Sequence, residues 1–270
     1  MAHFRRSRAV FEPLLWPIAR RFAEQIVTFD EQVGTLGLMG GSRWLMRQFT
    51  DGLLVSGGEH VPAKGPVLIA SNHPGIADTI ALFSSIQRSD LKIVAAVRPF
   101  LRSLPNVSQH LIYVSDDTSD RMRVVREATA HLRRGGAILT FPAGKIEPDP
   151  EVLPGAVASL ETWGESTGVF MRLAPQTKLL PTIVRGVVSA SALRNPLTHL
   201  RRSRYDRERM AAGLQIMFPQ YQNNVVKITF APPITLTRAS ANDVSSVTHL
   251  LTTSARHLIE SPPSVFDPIL

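Results

Sequence analysis

The sequence predicts an α/β fold, namely a mixed, partly parallel sheet flanked by helices and preceded by an N-terminal helical hairpin. From residue 51 onward, short runs of aliphatic and β-branched residues alternate with amphipathic stretches, the pattern of strands joined by helices. Gly and Pro clusters separate these runs. Before residue 51, apolar side chains recur at spacings of three and four, which predicts helix. We therefore expect an N-terminal helical segment over residues 1–50 and an α/β domain over residues 51–270.

The N-terminal segment is expected to hold two helices. The first carries an apolar stripe made by Phe11, Leu15, Ile18, Phe22 and Ile26. The second lies between residues 30 and 49 and is weakened by Gly37, Gly40 and Gly41. The stripe either packs on the protein's own core or rests on a bilayer surface, where Trp16 and Trp44 would suit the boundary.

The α/β domain is expected to contain seven strands and five helices in alternation. The predicted strands are 53–56, 67–71, 92–97, 111–114, 137–141, 180–187 and 225–230. The predicted helices are 76–87, 120–133, 155–167, 204–216 and 242–260.

Composition excludes several classes of protein. The chain has 270 residues and no cysteine, so disulfides, a thiolate nucleophile and cysteine-ligated metals are excluded. Its net charge of +8 points to phosphate groups, a membrane surface or nucleic acid as partners. No run approaches the roughly 20 apolar residues of a spanning helix, and a signal peptide's apolar region is missing. We expect a cytoplasmic protein that is peripheral to the inner face of the membrane.

The first chemistry-bearing motif follows the strand at 67–71 and reads Asn72-His73-Pro74-Gly75, with Asp78 three residues further on. In this class of fold, ligands bind at the carboxyl ends of strands. Pro74 disfavours helical dihedrals at His73, so the histidine belongs to a turn. That turn lets Asp78 fold back onto the imidazole, where a carboxylate fixes the tautomer and makes the other ring nitrogen a better base. The alternative is a buried histidine beside an aspartate that caps the helix.

The second motif follows the strand at 137–141 and reads Phe141-Pro142-Ala143-Gly144-Lys145, with Glu147 close behind. Gly144 can adopt positive φ, which lets backbone N–H groups converge on an anion. Lys145 would add a positive charge for a phosphate. Taken alone, the motif is equally typical of an ordinary turn after a strand.

Together, Asn-His-x-x-x-x-Asp and Phe-Pro-x-Gly resemble two motifs of the glycerolipid acyltransferases. The resemblance covers about residues 57–187, including Pro181 in a strand similar to the family's fourth motif. Arg98 would take the place of a basic residue that follows the third strand. Two departures stand out. Ala143 replaces the family's usual glutamate, and the second motif's arginine is missing after residues 111–114, where Asp116 and Asp117 come instead.

The resemblance implies acyl transfer from acyl-CoA or acyl carrier protein to a hydroxyl of lysophosphatidate or glycerol 3-phosphate. It implies His73 as general base and Asp78 as its orienting partner, with no metal and no cofactor. The residues that it implies for substrate binding are Asn72, Arg98, Phe141, Pro142, Gly144, Lys145 and Glu147.

A basic stretch later in the chain adds a second candidate binding surface. Its arginines are Arg194, Arg201, Arg202, Arg204, Arg207 and Arg209. They would bind anionic lipid headgroups or the phosphates of the acyl donor, or form an ordinary solvated surface.

Three other functions remain open. The missing glutamate favours a non-catalytic lipid- or membrane-binding protein on the same fold. The basic composition is compatible with nucleic-acid binding, but the arginines are dispersed and RNA-motif aromatics are lacking, so we expect no nucleic-acid partner. A hydrolase would need Ser71 as nucleophile, and Ser71 lacks the Gly-x-Ser-x-Gly context of such enzymes.

Overall fold

The computed structural model describes residues 2–115, 118–201 and 203–270, and the side chains of residues 2–15, 18, 76, 118–119 and 204–205 lie outside that description. Within the described ranges the strands form one eight-stranded sheet. They are β1 (Gly52–Ser56), β2 (Val67–Ser71), β3 (Leu91–Ala96), β4 (Leu111–Val114), β5 (Ala137–Thr140), β6 (Lys178–Arg185), β7 (Val225–Phe230) and β8 (Asp267–Pro268).

Six long and six short α-helices are described besides the sheet. The long helices are α1 (Ala2–Met46), α2 (Ile76–Ser85), α5 (Thr118–Arg133), α7 (Ser166–Leu173), α10 (Arg204–Met217) and α12 (Val244–Glu260). The short helices are α3 (Pro99–Arg102), α4 (Pro105–Ser108), α6 (Ala156–Ser159), α8 (Ala190–Leu193), α9 (Pro196–His199) and α11 (Arg238–Asn242). Among the described residues, none of these helices combines the length and apolarity needed to cross a membrane.

The order of the strands confirms the predicted mixed sheet. That order is β4-β3-β5-β2-β6-β7-β1-β8. The first five of these strands run parallel to one another. β7 is antiparallel to β6, β1 is parallel to β7, and β8 is antiparallel to β1. The carboxyl ends of β2 to β6 therefore share one edge of the sheet with the starts of β1 and β7, and we call it the carboxyl edge.

Alternate residues of β2 feed hydrophobic clusters on the two faces of the sheet. Val67 and Ile69 lie in the cluster that also holds residues of α1 and α2. Leu68 and Ala70 lie in the cluster that holds residues of α5, α7 and α12. This alternation is what a strand buried on both faces requires.

The predicted N-terminal hairpin places the break between its two helices wrongly. The helix continues through residues 28–30 and is interrupted only at Gly37, whose φ of 73° and ψ of 172° are not helical. Phe29 and Val33 are buried in the first cluster. Their apolar contacts with the domain therefore stabilise the helix across the position of the predicted break. Gly37 takes the break because glycine adopts positive φ at no steric cost.

The apolar stripe of α1 packs on the protein where its side chains are described. Phe22 contacts Phe49 edge to face at a centroid distance of 6.2 Å, and Ile26 and Trp44 pack against the first cluster. Trp16 remains 66% exposed. The side chains of Phe11, Leu15 and Ile18 lie outside the described part of the chain.

The prediction of one continuous helix over residues 155–167 is also wrong, because this segment is divided between α6 and α7. Gly164 interrupts it by donating its N–H to the Pro142 carbonyl at 3.0 Å. The interruption ties this segment to the motif that follows β5. The strand β8 was not predicted, because two residues with one proline carry no alternation to detect.

Candidate active site

His73 lies in the turn between β2 and α2, at the carboxyl edge. The strand ends at Ser71 and the helix begins at Ile76, so the Asn-His-Pro-Gly sequence spans the connection. Gly75 is closely covered, since a Cβ there would lie 3.2 Å from Val187 Cγ1. The turn following β6 therefore packs directly on the histidine turn.

Asp78 folds back onto the imidazole, as the turn geometry predicted. Its Oδ2 lies 2.7 Å from His73 Nδ1 and also accepts the Gly75 N–H at 2.9 Å. Its Oδ1 accepts the Thr79 hydroxyl at 3.0 Å. The carboxylate is fully buried, so it holds the imidazole in one orientation through Nδ1.

The imidazole is partly open and electrostatically biased. Its side chain keeps 26% exposure and stacks on Phe141 with centroids 4.4 Å apart. Burial lowers the pKa of His73, but the charge and hydrogen bond of Asp78 and the charge of Glu147 outweigh it. The pKa of His73 is therefore raised above its ordinary value, because the imidazolium faces two carboxylates.

Glu147 contacts the main chain of the same histidine. Its Oε2 accepts the His73 N–H at 3.0 Å, and its own N–H donates to the His73 carbonyl at 2.8 Å. Its Oε1 accepts from Ser159 Oγ at 3.0 Å and from Trp163 Nε1 at 2.8 Å. Burial raises the pKa of Glu147 against the opposing effect of these hydrogen bonds.

The remaining residues of the second motif form an open turn. Gly144 has a φ of 62°, with open space where a Cβ would stand, and its N–H donates to the Phe141 carbonyl at 3.0 Å. That N–H therefore closes the turn instead of pointing at an anion. Lys145 is exposed beside it, and Pro142 is buried. Arg98 is exposed at the start of α3, which follows β3 at the same edge.

The sequence match to a known protein family covers the strands and turns of this site. Residues 52–181 match the sequence model of the family described as Acyltransferase. Over these residues the chain is similar to the acyltransferase family. The matched range begins at β1, ends inside β6 and contains His73, Asp78, Phe141 and Glu147.

A solved structure is similar to the chain beyond the matched region. It is the crystal structure of the 1-acyl-sn-glycerophosphate (LPA) acyltransferase, PlsC, from Thermotoga maritima. The TM-score is 0.49 and the sequence identity is 14%, over 83% of this chain and 78% of that chain. No curated protein matches the chain significantly.

Asn72 was predicted to bind substrate, but its side-chain amide hydrogen-bonds the protein main chain instead. Its Nδ2 donates to the Val184 carbonyl at 2.9 Å, and its Oδ1 accepts the Val184 N–H at 2.8 Å. The side chain is buried. It therefore joins the end of β2 to β6 and leaves no polar atom for a ligand. Glu147, predicted for the same role, is likewise occupied by protein donors.

Ser71 does not fit the role of a nucleophile. Its side chain is fully buried and its hydroxyl donates to the neighbouring Asn72 carbonyl at 3.0 Å. A serine hydrolase at this position would need an accessible hydroxyl within reach of the imidazole. The structure therefore counts against the hydrolase interpretation.

Asp149 is a site residue that the sequence analysis missed. It is fully buried, and its two oxygens accept the N–H groups of Gly186, Val187 and Val188 at 2.7–2.9 Å. Its carboxylate thus fixes the turn that packs on Gly75. Ser159 and Trp163 were missed as well. The available signal was a pair of acids, 147 and 149, set between prolines, a composition that favours a fixed loop over a solvated one.

The basic stretch lies in the insertion between β6 and β7. Arg194, Arg201 and Arg209 are exposed, whereas Arg207 is half-buried and donates to His199 Nδ1 at 2.9 Å. Arg202 and the side chain of Arg204 lie outside the described residues, as do Asp116 and Asp117 of the second family motif.

Proposed function

We propose that this protein transfers a fatty acyl group from acyl-CoA or acyl carrier protein to a hydroxyl of a glycerophospholipid precursor such as lysophosphatidate or glycerol 3-phosphate. One observation carries the proposal. A partly open histidine is held by a buried aspartate at 2.7 Å, inside a region that matches the acyltransferase family model. The pair stands at the carboxyl edge of parallel strands, where this class of sheet binds its ligands.

In the proposed reaction, His73 Nε2 removes the proton of the acceptor hydroxyl as the oxygen attacks the thioester carbonyl. The carbon–sulfur bond then breaks, and the leaving sulfur takes up a proton to become the free thiol. Asp78 balances the positive charge that develops on the imidazole. General-base assistance of this kind contributes about 10²–10⁴-fold. No acyl-enzyme is required.

Two exposed cations support binding of a phosphate group near the histidine. Lys145 follows β5 and Arg98 follows β3, and both strands end at the carboxyl edge. A guanidinium binds phosphate in a bidentate manner, and an ammonium binds it as a point charge. We assign these side chains to the phosphate of the acceptor or the donor.

The same edge supports association with an anionic membrane surface. Large apolar side chains are exposed where several strands exit, namely Phe100 after β3, Met122 after β4, and Leu197 and Leu200 after β6. Arg194 and Arg201 are exposed beside the two leucines. Apolar groups flanked by cations suit the boundary of an anionic bilayer. A peripheral enzyme docked by this edge would meet its lipid acceptor with the histidine facing the membrane.

An acceptor screen tests the proposal. One long-chain acyl-CoA is offered with lysophosphatidate, glycerol 3-phosphate or other lysolipids, and release of free thiol is measured. We expect acceptor-dependent release that falls at least about 100-fold in His73→Ala, given the size of general-base effects. His249→Ala, at an exposed position on α12, is the matched control and should keep full activity. Full activity in folded His73→Ala refutes the mechanism, and no release with any acceptor favours a non-catalytic lipid-binding protein.

A further inference from the structure

We propose that Glu147 is a positioning residue that fixes the main chain of His73 while Asp78 fixes its ring. The inference rests on the proposed acyl transfer and gives this carboxylate a role other than substrate binding. The usual glutamate position is occupied by Ala143, which packs against the second hydrophobic cluster.

The first step of the argument is the two-point contact between the two residues. The carboxylate of Glu147 accepts the His73 N–H at 3.0 Å, and the Glu147 N–H donates to the His73 carbonyl at 2.8 Å. Both main-chain polar groups of the histidine are therefore bound to one residue. β2 and β5 are neighbouring parallel strands, so this contact joins the two segments that follow them.

The second step is that the carboxylate itself cannot swing away. Its second oxygen accepts from Ser159 Oγ at 3.0 Å and from Trp163 Nε1 at 2.8 Å, and the residue is only 2% exposed. Three protein donors use most of the acceptor sites of the carboxylate, and its burial leaves a substrate group no access to the rest. Its contacts suit an internal brace.

The third step is electrostatic and agrees with the geometry. Among the described residues, the charged groups that act on the imidazole are Asp78 and Glu147. When His73 takes a proton from the acceptor hydroxyl, the new positive charge faces both carboxylates. Glu147 therefore stabilises the imidazolium as well as holding its backbone, and its removal lowers the pKa of His73.

Kinetics separate a positioning role from a binding role. Glu147→Gln keeps the size of the side chain but has a single accepting oxygen, so either the His73 N–H or the donors on Ser159 and Trp163 lose their acceptor. We expect kcat to fall at least about tenfold, which is part of the 10²–10⁴-fold that general-base catalysis contributes, while KM for the acceptor stays within about twofold. A residue that binds substrate in the ground state would raise KM instead. Glu151→Gln, an exposed position on the same loop, removes an equal charge as the matched control.

A titration by NMR gives a readout that does not depend on activity. The His73 imidazole is assigned by its loss in His73→Ala, and its pKa is compared in the wild type, Glu147→Gln and Glu151→Gln. We expect a lower pKa in Glu147→Gln only. Trp163→Phe, which removes one donor but keeps an aromatic ring, should reduce kcat less and serves if Glu147→Gln fails to fold.

The outcomes are distinguishable. Unchanged kcat and an unchanged His73 pKa in Glu147→Gln overturn the inference, as does a rise in KM with kcat intact. If the Glu147 variant does not fold, wild-type kcat in folded Trp163→Phe overturns it equally. By contrast, full activity in folded His73→Ala overturns the proposed function itself.

Discussion

The imidazole of His73 lies nearly parallel to the ring of Phe141, with centroids 4.4 Å apart and an angle of 17° between the planes. The two residues follow neighbouring parallel strands, β2 and β5. Phe141 therefore covers one face of the ring whose Nδ1 is held by Asp78. With Glu147 on the main chain, the segment after β5 restrains the histidine twice.

Replacing Phe141 by Leu should lower activity without abolishing it. The flat contact is lost while most of the apolar volume is kept, and aromatic pairs of this kind contribute about 0.5–1.5 kcal/mol beyond burial. We expect kcat to fall about 2–10-fold. Phe141→Tyr preserves the stacked ring and serves as the control. Equal activity in both variants would show that the stacking has no part in orienting the base.

Replacing Asp78 by Asn should change the pH dependence of the reaction. His73 acts as a base only when neutral, so kcat/KM falls as the pH drops below its pKa, which is raised by Asp78 and Glu147. The asparagine side chain retains a carbonyl oxygen for the ring N–H and for Gly75 but carries no charge. The pKa of His73 then falls, and the acid limb of the profile moves to lower pH.

The maximal rate of Asp78→Asn should also fall, by about 10²–10⁴-fold, because the imidazolium loses its counter-charge. A profile of kcat/KM between acidic and mildly alkaline pH measures both effects. An acid limb at the wild-type pH would mean that the limb reports another group.

The histidine turn was predictable because every element of it is local. Pro74 sets the backbone of His73, and Asp78 lies one helical turn beyond, so the sequence alone implies their contact. The brace by Glu147 was not predictable in the same way. Its partners Ser159 and Trp163 reach Glu147 through tertiary packing of their segment, which a hydrogen bond from Gly164 to Pro142 ties to the loop after β5.

The positions of the strands were likewise predictable from local sequence, whereas the break in the N-terminal helix was not. Short aliphatic and β-branched runs predicted the bounds of β2, β4 and β7 to the residue, because strands buried on both faces carry near-continuous hydrophobic runs. The N-terminal break was misplaced because local glycine content does not reveal which part of α1 is held by Phe29 and Val33 in the core. Contacts distant in sequence decided that point.

Replacing Asp149 by Ala should destabilise the protein severely. The change leaves the N–H groups of Gly186, Val187 and Val188 without their acceptor, and each buried unsatisfied group costs about 1–3 kcal/mol. We expect the free energy of unfolding to fall by about 3 kcal/mol or more, measured by urea denaturation. Asp51→Ala, at an exposed position, should stay within about 0.5 kcal/mol. A similar small loss for Asp149→Ala would mean that the turn after β6 finds other acceptors.

Membrane association can be tested at the insertion between β6 and β7. Leu197 and Leu200 are 51% and 76% exposed, and the insertion leaves and rejoins the sheet at the carboxyl edge. Burying a leucine in an apolar environment is worth about 1.5–3 kcal/mol. The double variant Leu197→Ser with Leu200→Ser should therefore bind phosphatidylglycerol vesicles at least about tenfold more weakly in a sedimentation assay.

The electrostatic contribution to vesicle binding and the position of the membrane-binding surface need separate controls. Arg194→Gln with Arg201→Gln should weaken binding at low salt and have little effect at high salt, because lipid electrostatics are screened. Val265→Ser removes an apolar side chain that is 72% exposed, two residues before β8 pairs with the end of β1 at the opposite edge. It should leave vesicle binding unchanged. If Val265→Ser weakens binding as much as the leucine pair does, the membrane contacts the protein by another surface, and the carboxyl edge does not face the bilayer.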